Sequence, residues 1–240
     1  RHTRYGTVTG VQTCALPISE QIFDYDMATG ERTLRKQEPI LGDFDHANYV
    51  SRRLYAKGRD GAHIPISLCH RRDTPLNGRA PLVLYGYGSY GHSIPASFNR
   101  VRLSYLDRGF IYAIAHIRGG MECGYQWYKD GKLLKKRNTF DDYIACAAHL
   151  IDNNFAAQGM ILGVGGSAGG LLMGAAANMR QDLFKAIIAH VPFVDILNTM
   201  LDDTLPLTTM EYNEWGNPHK KEDRKSTRLN SSHSSVSRMP

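Results

Sequence analysis

A glycine-lined turn between a buried strand and a small-residue helix constrains this chain most. The run Met160-Ile-Leu-Gly-Val-Gly-Gly-Ser-Ala-Gly-Gly-Leu-Leu-Met-Gly-Ala-Ala-Ala177 starts apolar, narrows to glycines around Ser167, and continues in residues small enough for a closely packed helix. Gly165-Gly166-Ser167-Ala168-Gly169 fits G-x-S-x-G, the nucleophile elbow, in which a sharp strand-to-helix turn presents a serine hydroxyl. Glycine admits backbone angles closed to larger residues and lets the helix approach its strand. The first helical amide has no intrahelical acceptor, so the Ala168 N–H is free to donate to a developing oxyanion.

Charge points to no particular partner. Lys and Arg number 29 against 23 Asp and Glu, yet six of the bases lie in residues 1–19 and 224–240, which carry no acid. The interior is neutral, so the basic balance argues for neither nucleic acid nor an anionic membrane. Both ends also change in composition. Residues 1–19 and the Ser/Arg-rich residues 224–240 resemble translated adapter sequence and are set aside from fold reasoning; a native, solvated tail is the alternative reading. No apolar run reaches the roughly 18 residues of a membrane span. Cys69, Cys123 and Cys146 lack C-x-x-C spacing and read as free thiols of a reducing compartment. The expected location is the cytoplasm, with the periplasm left open by a missing native N-terminus. No cluster has metal-ligand spacing, and neither metal nor cofactor is expected.

Between the ends, strands and helices alternate. Strand-like runs fall at residues 22–26 and 33–36, and twice between 49 and 69 around Gly58-Arg-Asp-Gly61. Residues 81–85 and 110–115 are short apolar runs suited to buried strands, with a helix-like stretch between them ending at Gly109. Thr139-Phe-Asp-Asp142 reads as capping residues ahead of a helix whose buried face is Ile144, Ala147, Ala148 and Ile151. The elbow follows, then a strand to His190. Such alternation predicts a mainly parallel sheet with helices on both faces.

Longer motifs then specify a family. Tyr85-Gly-Tyr-Gly-Ser-Tyr-Gly91, His116-Ile-Arg-Gly-Gly120, Gln126-Trp-Tyr-Lys-Asp-Gly-Lys132, Lys136-Arg-Asn-Thr-Phe140, Gly165-Gly-Ser-Ala-Gly-Gly-Leu-Leu-Met-Gly174, Val191-Pro-Phe-Val-Asp195 and Glu211-Tyr-Asn-Glu-Trp-Gly-Asn-Pro218 together resemble the prolyl oligopeptidase family of serine peptidases, closest to its oligopeptidase B branch. The resemblance implies an incomplete α/β-hydrolase fold over residues 37–223, preceded by the end of a β-propeller in residues 20–36. It implies Ser167 as nucleophile, the Tyr87 hydroxyl and Ala168 N–H as oxyanion donors, and Tyr90 beside the substrate. Glu211 corresponds to the acidic selector for Arg or Lys at P1, so the implied partners are short peptides with a basic P1, with no nucleic acid or membrane. Asn213 stands where a second carboxylate is usual, and Ile94-Pro-Ala-Ser97 lacks the aspartates of some P2 subsites, which leaves P2 preference open. Arg118 is expected to hold loops through carboxylate pairs.

In this fold the order is Ser, then acid, then His, on loops after later strands. Asp195, Asp202 and Asp203 with His190 or His219 lack the strands that carry such a pair. The triad acid and base are therefore expected beyond residue 223 and are assigned to no residue here, and the chain alone is expected to be inactive. Two other readings stay open: another α/β-hydrolase, such as an acylaminoacyl-peptidase or esterase, or a non-catalytic interaction module that keeps the elbow as a turn.

Overall fold

The computed structural model describes residues 21–224; of the two ends that resemble adapter sequence, residues 1–19 and 225–240 lie outside the described residues. A six-stranded sheet carries the core, in the order β3-β4-β6-β5-β7-β8. Its strands are β3 (Tyr49–Lys57), β4 (His63–Arg71), β5 (Leu82–Tyr85), β6 (Ile111–Ala115), β7 (Ile161–Gly166) and β8 (Phe184–His190). Ahead of it, β1 (Gln21–Tyr25) and β2 (Arg32–Gln37) form a separate antiparallel hairpin. The hairpin β3–β4 enters the sheet antiparallel to β6, while β6, β5, β7 and β8 run parallel. The helices are α1 (Arg100–Leu106), α2 (Tyr125–Lys129), α3 (Arg137–Asp152), α4 (Ala168–Arg180), α5 (Ile196–Leu201) and α6 (Thr208–Trp215).

Strand alternation divides the core into two layers, because successive side chains leave opposite faces. Leu82, Leu84, Ile111, Ala113, Ala115 and Ile161 meet Phe140, Tyr143, Ala147 and Leu150 of α3 and Leu171, Leu172 and Ala175 of α4. Val83, Tyr112 and Ile114 turn the other way, toward Leu103 and Leu106 of α1. Helices thus cover both faces, as the alternating pattern predicted. At the edge, β8 is mostly exposed on both faces, and Ile188 is 39% accessible.

α3 departs from the sequence reading in two ways. It begins at Arg137, so Thr139 and Asp142 lie inside the helix and are not its caps. Both are fully buried and serve tertiary contacts instead. The Thr139 hydroxyl reaches the carbonyls of Arg118 and Gly131 at 2.8 and 3.1 Å, and Asp142 binds Arg118. The buried face is also rotated, to Phe140, Tyr143, Cys146, Ala147 and Leu150, with Ile144, Ala148 and Ile151 only half-buried. Polar residues that bond across the core displaced the apolar pattern by about one position.

Candidate active site

β5 is the point where the chain reverses its direction of winding. The connection through α1 leads to β6 on one side, and the next connection crosses over β5 to place β7 on the other. Crevices at the carboxyl ends of strands flanking such a switch are where open α/β sheets bind ligands. Register pairs Tyr85 with Val164, so the loop after β5 and the elbow after β7 leave the sheet side by side. Tyr87 stands two residues past the end of β5 and Ser167 one past the end of β7. The Ser167 side chain lies close enough to act on the Tyr87 phenol.

Ser167 has φ 53° and ψ −118°, a left-handed backbone that a non-glycine residue adopts only when its surroundings enforce it. Three backbone bonds do so. The Ser167 N–H donates to His190 O at 2.9 Å, and Ser167 O accepts from the N–H groups of Gly170 and Phe193 at 2.8 and 3.0 Å. The glycines divide by need. A Cβ on Gly169 would come within 2.8 Å of Gly86 O, and one on Gly170 within 2.5 Å of Pro192 Cα. At Gly166 a Cβ would meet only His190 atoms at 3.5 Å, an ordinary contact. Ala168 opens α4, where helix geometry leaves its N–H without an intrahelical partner.

Burial, followed by the nearby charges of Tyr85, Glu214 and Glu211, pushes the Tyr87 phenol above its usual range. It therefore keeps its proton at neutral pH. Tyr90 stands beside it, ring centroids 6.5 Å apart, its hydroxyl accepting from Trp215 Nε1 at 3.0 Å; burial raises this phenol too. Glu211 is half-buried in the first turn of α6, and its charge acts on both tyrosines. Ser167, Tyr87, Ala168, Tyr90 and Glu211 thus gather at one end of the sheet.

Other residues weighed in the sequence have different work. Arg118 grips Asp142 through Nε and Nη2 at 2.8 and 2.6 Å and Asp60 through Nη1 at 2.5 Å, the loop-holding role expected of it. Asp195 caps α5 by accepting from Asn198 N–H, and Asp202 closes a turn on Thr204. His219 Nε2 lies 3.2 Å from Leu201 O, and His190 offers Ser167 its carbonyl while its side chain is exposed. Among the described residues, no histidine bonds to the Ser167 side chain, and no group of three His, Cys, Asp or Glu could hold a metal ion.

Sequence reasoning passed over Lys136 and Glu214. Both are 2% exposed, and they approach to 3.7 Å behind the Tyr87 loop. The signals were present: Lys136 opens one of the family-like motifs, and Glu214 follows Glu211 at the i+3 spacing that puts two residues on one helix side.

Comparison with known proteins finds relatives over most of the chain. The model of the prolyl oligopeptidase family matches residues 96–238. The chain is 50% identical over 200 residues to dipeptidyl aminopeptidase BI of Pseudoxanthomonas mexicana, covering 83% of this chain and 28% of that protein. It is 45% identical over 213 residues to protease 2 of Moraxella lacunata, covering 89% and 31%. Oligopeptidase B from Leishmania major superposes with a TM-score of 0.86 at 44% identity, covering 92% of this chain and 31% of that one. Oligopeptidase B from Trypanosoma brucei with covalently bound antipain gives 0.85 at 42%, covering 96% and 35%. The chain therefore spans under a third of the length of these curated relatives.

Proposed function

Because this chain belongs to the prolyl oligopeptidase family, we propose that it supplies the nucleophile and oxyanion donors of a serine oligopeptidase that cleaves short peptides after Arg or Lys. The observation that carries the reading is the meeting of the Tyr87 and Ser167 side chains at paired strand ends. The Ser167 Oγ attacks the scissile carbonyl and gives its proton to a base outside the described residues. The carbonyl oxygen, now an anion, takes hydrogen bonds from the Tyr87 hydroxyl and Ala168 N–H. Collapse of the adduct expels the amine, which receives that proton, and water hydrolyses the acyl-enzyme.

Glu211 is the proposed selector for P1. A carboxylate beside two tyrosines suits a guanidinium or ammonium, and partial burial strengthens the pairing. Glu214 cannot share this task, since Lys136 already faces it. The free thiols Cys69, Cys123 and Cys146 support a reducing, cytoplasmic setting. In the full-length enzyme, Glu211→Gln is expected to lower kcat/KM for basic P1 by about 2–5 kcal/mol in transition-state terms, the scale of a desolvated charge pair. Neutral-P1 peptides are expected to lose far less. Equal losses on both substrates remove Glu211 from the role.

A second reading, release of dipeptides from free N-termini, is favoured by the 50% identity to dipeptidyl aminopeptidase BI. Cleavage of an N-acetylated peptide with a central Arg decides between them, because a dipeptide-releasing enzyme needs the free amine.

A further inference from the structure

The loop that carries Tyr87 is held from behind by a buried charge. Lys136 precedes α3, and its ammonium donates to Gly88 O at 2.6 Å and Ser89 Oγ at 2.5 Å. It lies 3.7 Å from Glu214 Oε1 and 5.0 Å over the Trp215 ring. Glu214 completes the grip from α6: Oε1 accepts the Tyr90 N–H at 3.0 Å and Oε2 the Tyr128 hydroxyl at 2.9 Å. Gly88, Ser89 and Tyr90, the three residues after Tyr87, are thus each bonded to one ion pair.

The grip has something to restrain. Tyr90 sits at φ 59° and Gly88 at φ 71°, so the loop turns through a left-handed backbone that only external bonds keep in place at a tyrosine. Gly88 is wedged: a Cβ there would stand 2.5 Å from Thr139 Cγ2. An apolar pair of similar volume often serves stability as well as a buried ion pair does. It could not, however, bond to a carbonyl, a hydroxyl and an amide of one strained loop.

We propose that Lys136 and Glu214 are positioning residues, which fix the Gly88–Tyr90 backbone against α6 and so set the Tyr87 hydroxyl beside Ser167 and at a constant spacing from Glu211. This rests on the roles proposed above for Ser167 and Tyr87. Without the ammonium, the loop loses two bonds and Tyr87 shifts relative to the oxyanion; a displacement of about 1 Å costs about a hundredfold in rate.

The test is a double-mutant cycle in the full-length enzyme. Active sites are counted by stoichiometric fluorophosphonate labelling, and kcat is expressed per labelled site for wild type, Lys136→Met, Tyr87→Phe and the double variant. Lys136→Met is expected to lower kcat per site by about 10–100-fold, with KM for a basic-P1 peptide changed by less than about threefold. In the Tyr87→Phe background the same substitution is expected to cost less than about threefold, because coupled residues are non-additive. Loss of labelled sites with unchanged kcat per site, or equal losses in both backgrounds, overturns the proposal. If Lys136→Met does not fold because Glu214 is stranded as a buried charge, Lys136→Met/Glu214→Gln goes through the same cycle with the same deciding outcomes. Full activity in Ser167→Ala overturns the reading of the site itself, whereas Ser167-dependent turnover with additive losses overturns this inference alone.

Discussion

Replacing Arg118 by Met should come close to unfolding the protein, and the structure says by how much. Asp142 is fully buried, and the Arg118 side chain is 7% exposed. The carboxylate accepts Nε and Nη2 of Arg118 at 2.8 and 2.6 Å and the Arg118 backbone N–H at 3.1 Å. The substitution leaves it with the backbone bond and no countercharge. Breaking a buried pair from one side costs about 3–5 kcal/mol, against a total stability of about 5–15 kcal/mol for a domain. The Asp60 carboxylate, 52% exposed, is worth under about 1 kcal/mol, so Asp60→Asn should be mild. Arg118→Met/Asp142→Asn removes the stranded charge and keeps an acceptor for the backbone N–H, so it should recover much of the loss.

Acidity offers a second check. Burial raises the Asp142 carboxyl above its ordinary value even with Arg118 opposing it, and in Arg118→Met that opposition is gone. A carboxyl with a folded pKa above its unfolded one gains stability as pH falls through the folded value, so the variant's deficit should shrink from pH 7 to pH 5. Urea denaturation reads both effects through Trp127 and Trp215. Trp127 is well placed, since the Arg118 guanidinium lies 5.7 Å over its ring. An Arg118→Met deficit under about 1 kcal/mol, or a double variant no better than the single, would refute the reasoning.

Two further outcomes follow from packing and titration. Gly86→Ala places a Cβ 2.8 Å from Leu172 Cδ2 and the Tyr143 ring and should cost about 1–3 kcal/mol by overpacking, whereas Gly166→Ala, with room for its methyl, should be neutral or stabilising by up to about 1 kcal/mol; urea midpoints separate the two. Burial lowers the Lys136 ammonium from 10.5 to about 8. Between those pH values the unfolded chain holds a proton that the folded chain has released, so stability should rise with pH by up to about 3 kcal/mol. That rise should be missing in Lys136→Met, as thermal melts at pH 8 and 10 would read.

Much of the local architecture was legible in the residues. The Ser167 elbow, the short apolar runs of β5, β6 and β7, and the turn between β3 and β4 depend on sterics and side-chain periodicity over a few positions. Those constraints act whatever the rest of the chain does. The gathering of Ser167, Tyr87 and Glu211 was reached through resemblance, since nothing in their spacing of 80 and 44 residues along the sequence dictates that they meet.

Only the tertiary structure decided which strands are neighbours and which polar residues face inward. β5 lies beside β7 because one crossover reverses direction, and that order brings the Tyr87 loop to the elbow. Thr139 and Asp142 look like helix caps by sequence, yet they bind Arg118 and backbone carbonyls from within α3. Lys136 and Glu214 look like ordinary surface charges and are buried against each other, 78 positions apart. A charge or hydroxyl is placed by the partner that offsets its desolvation, and that partner is known only when distant segments pack together.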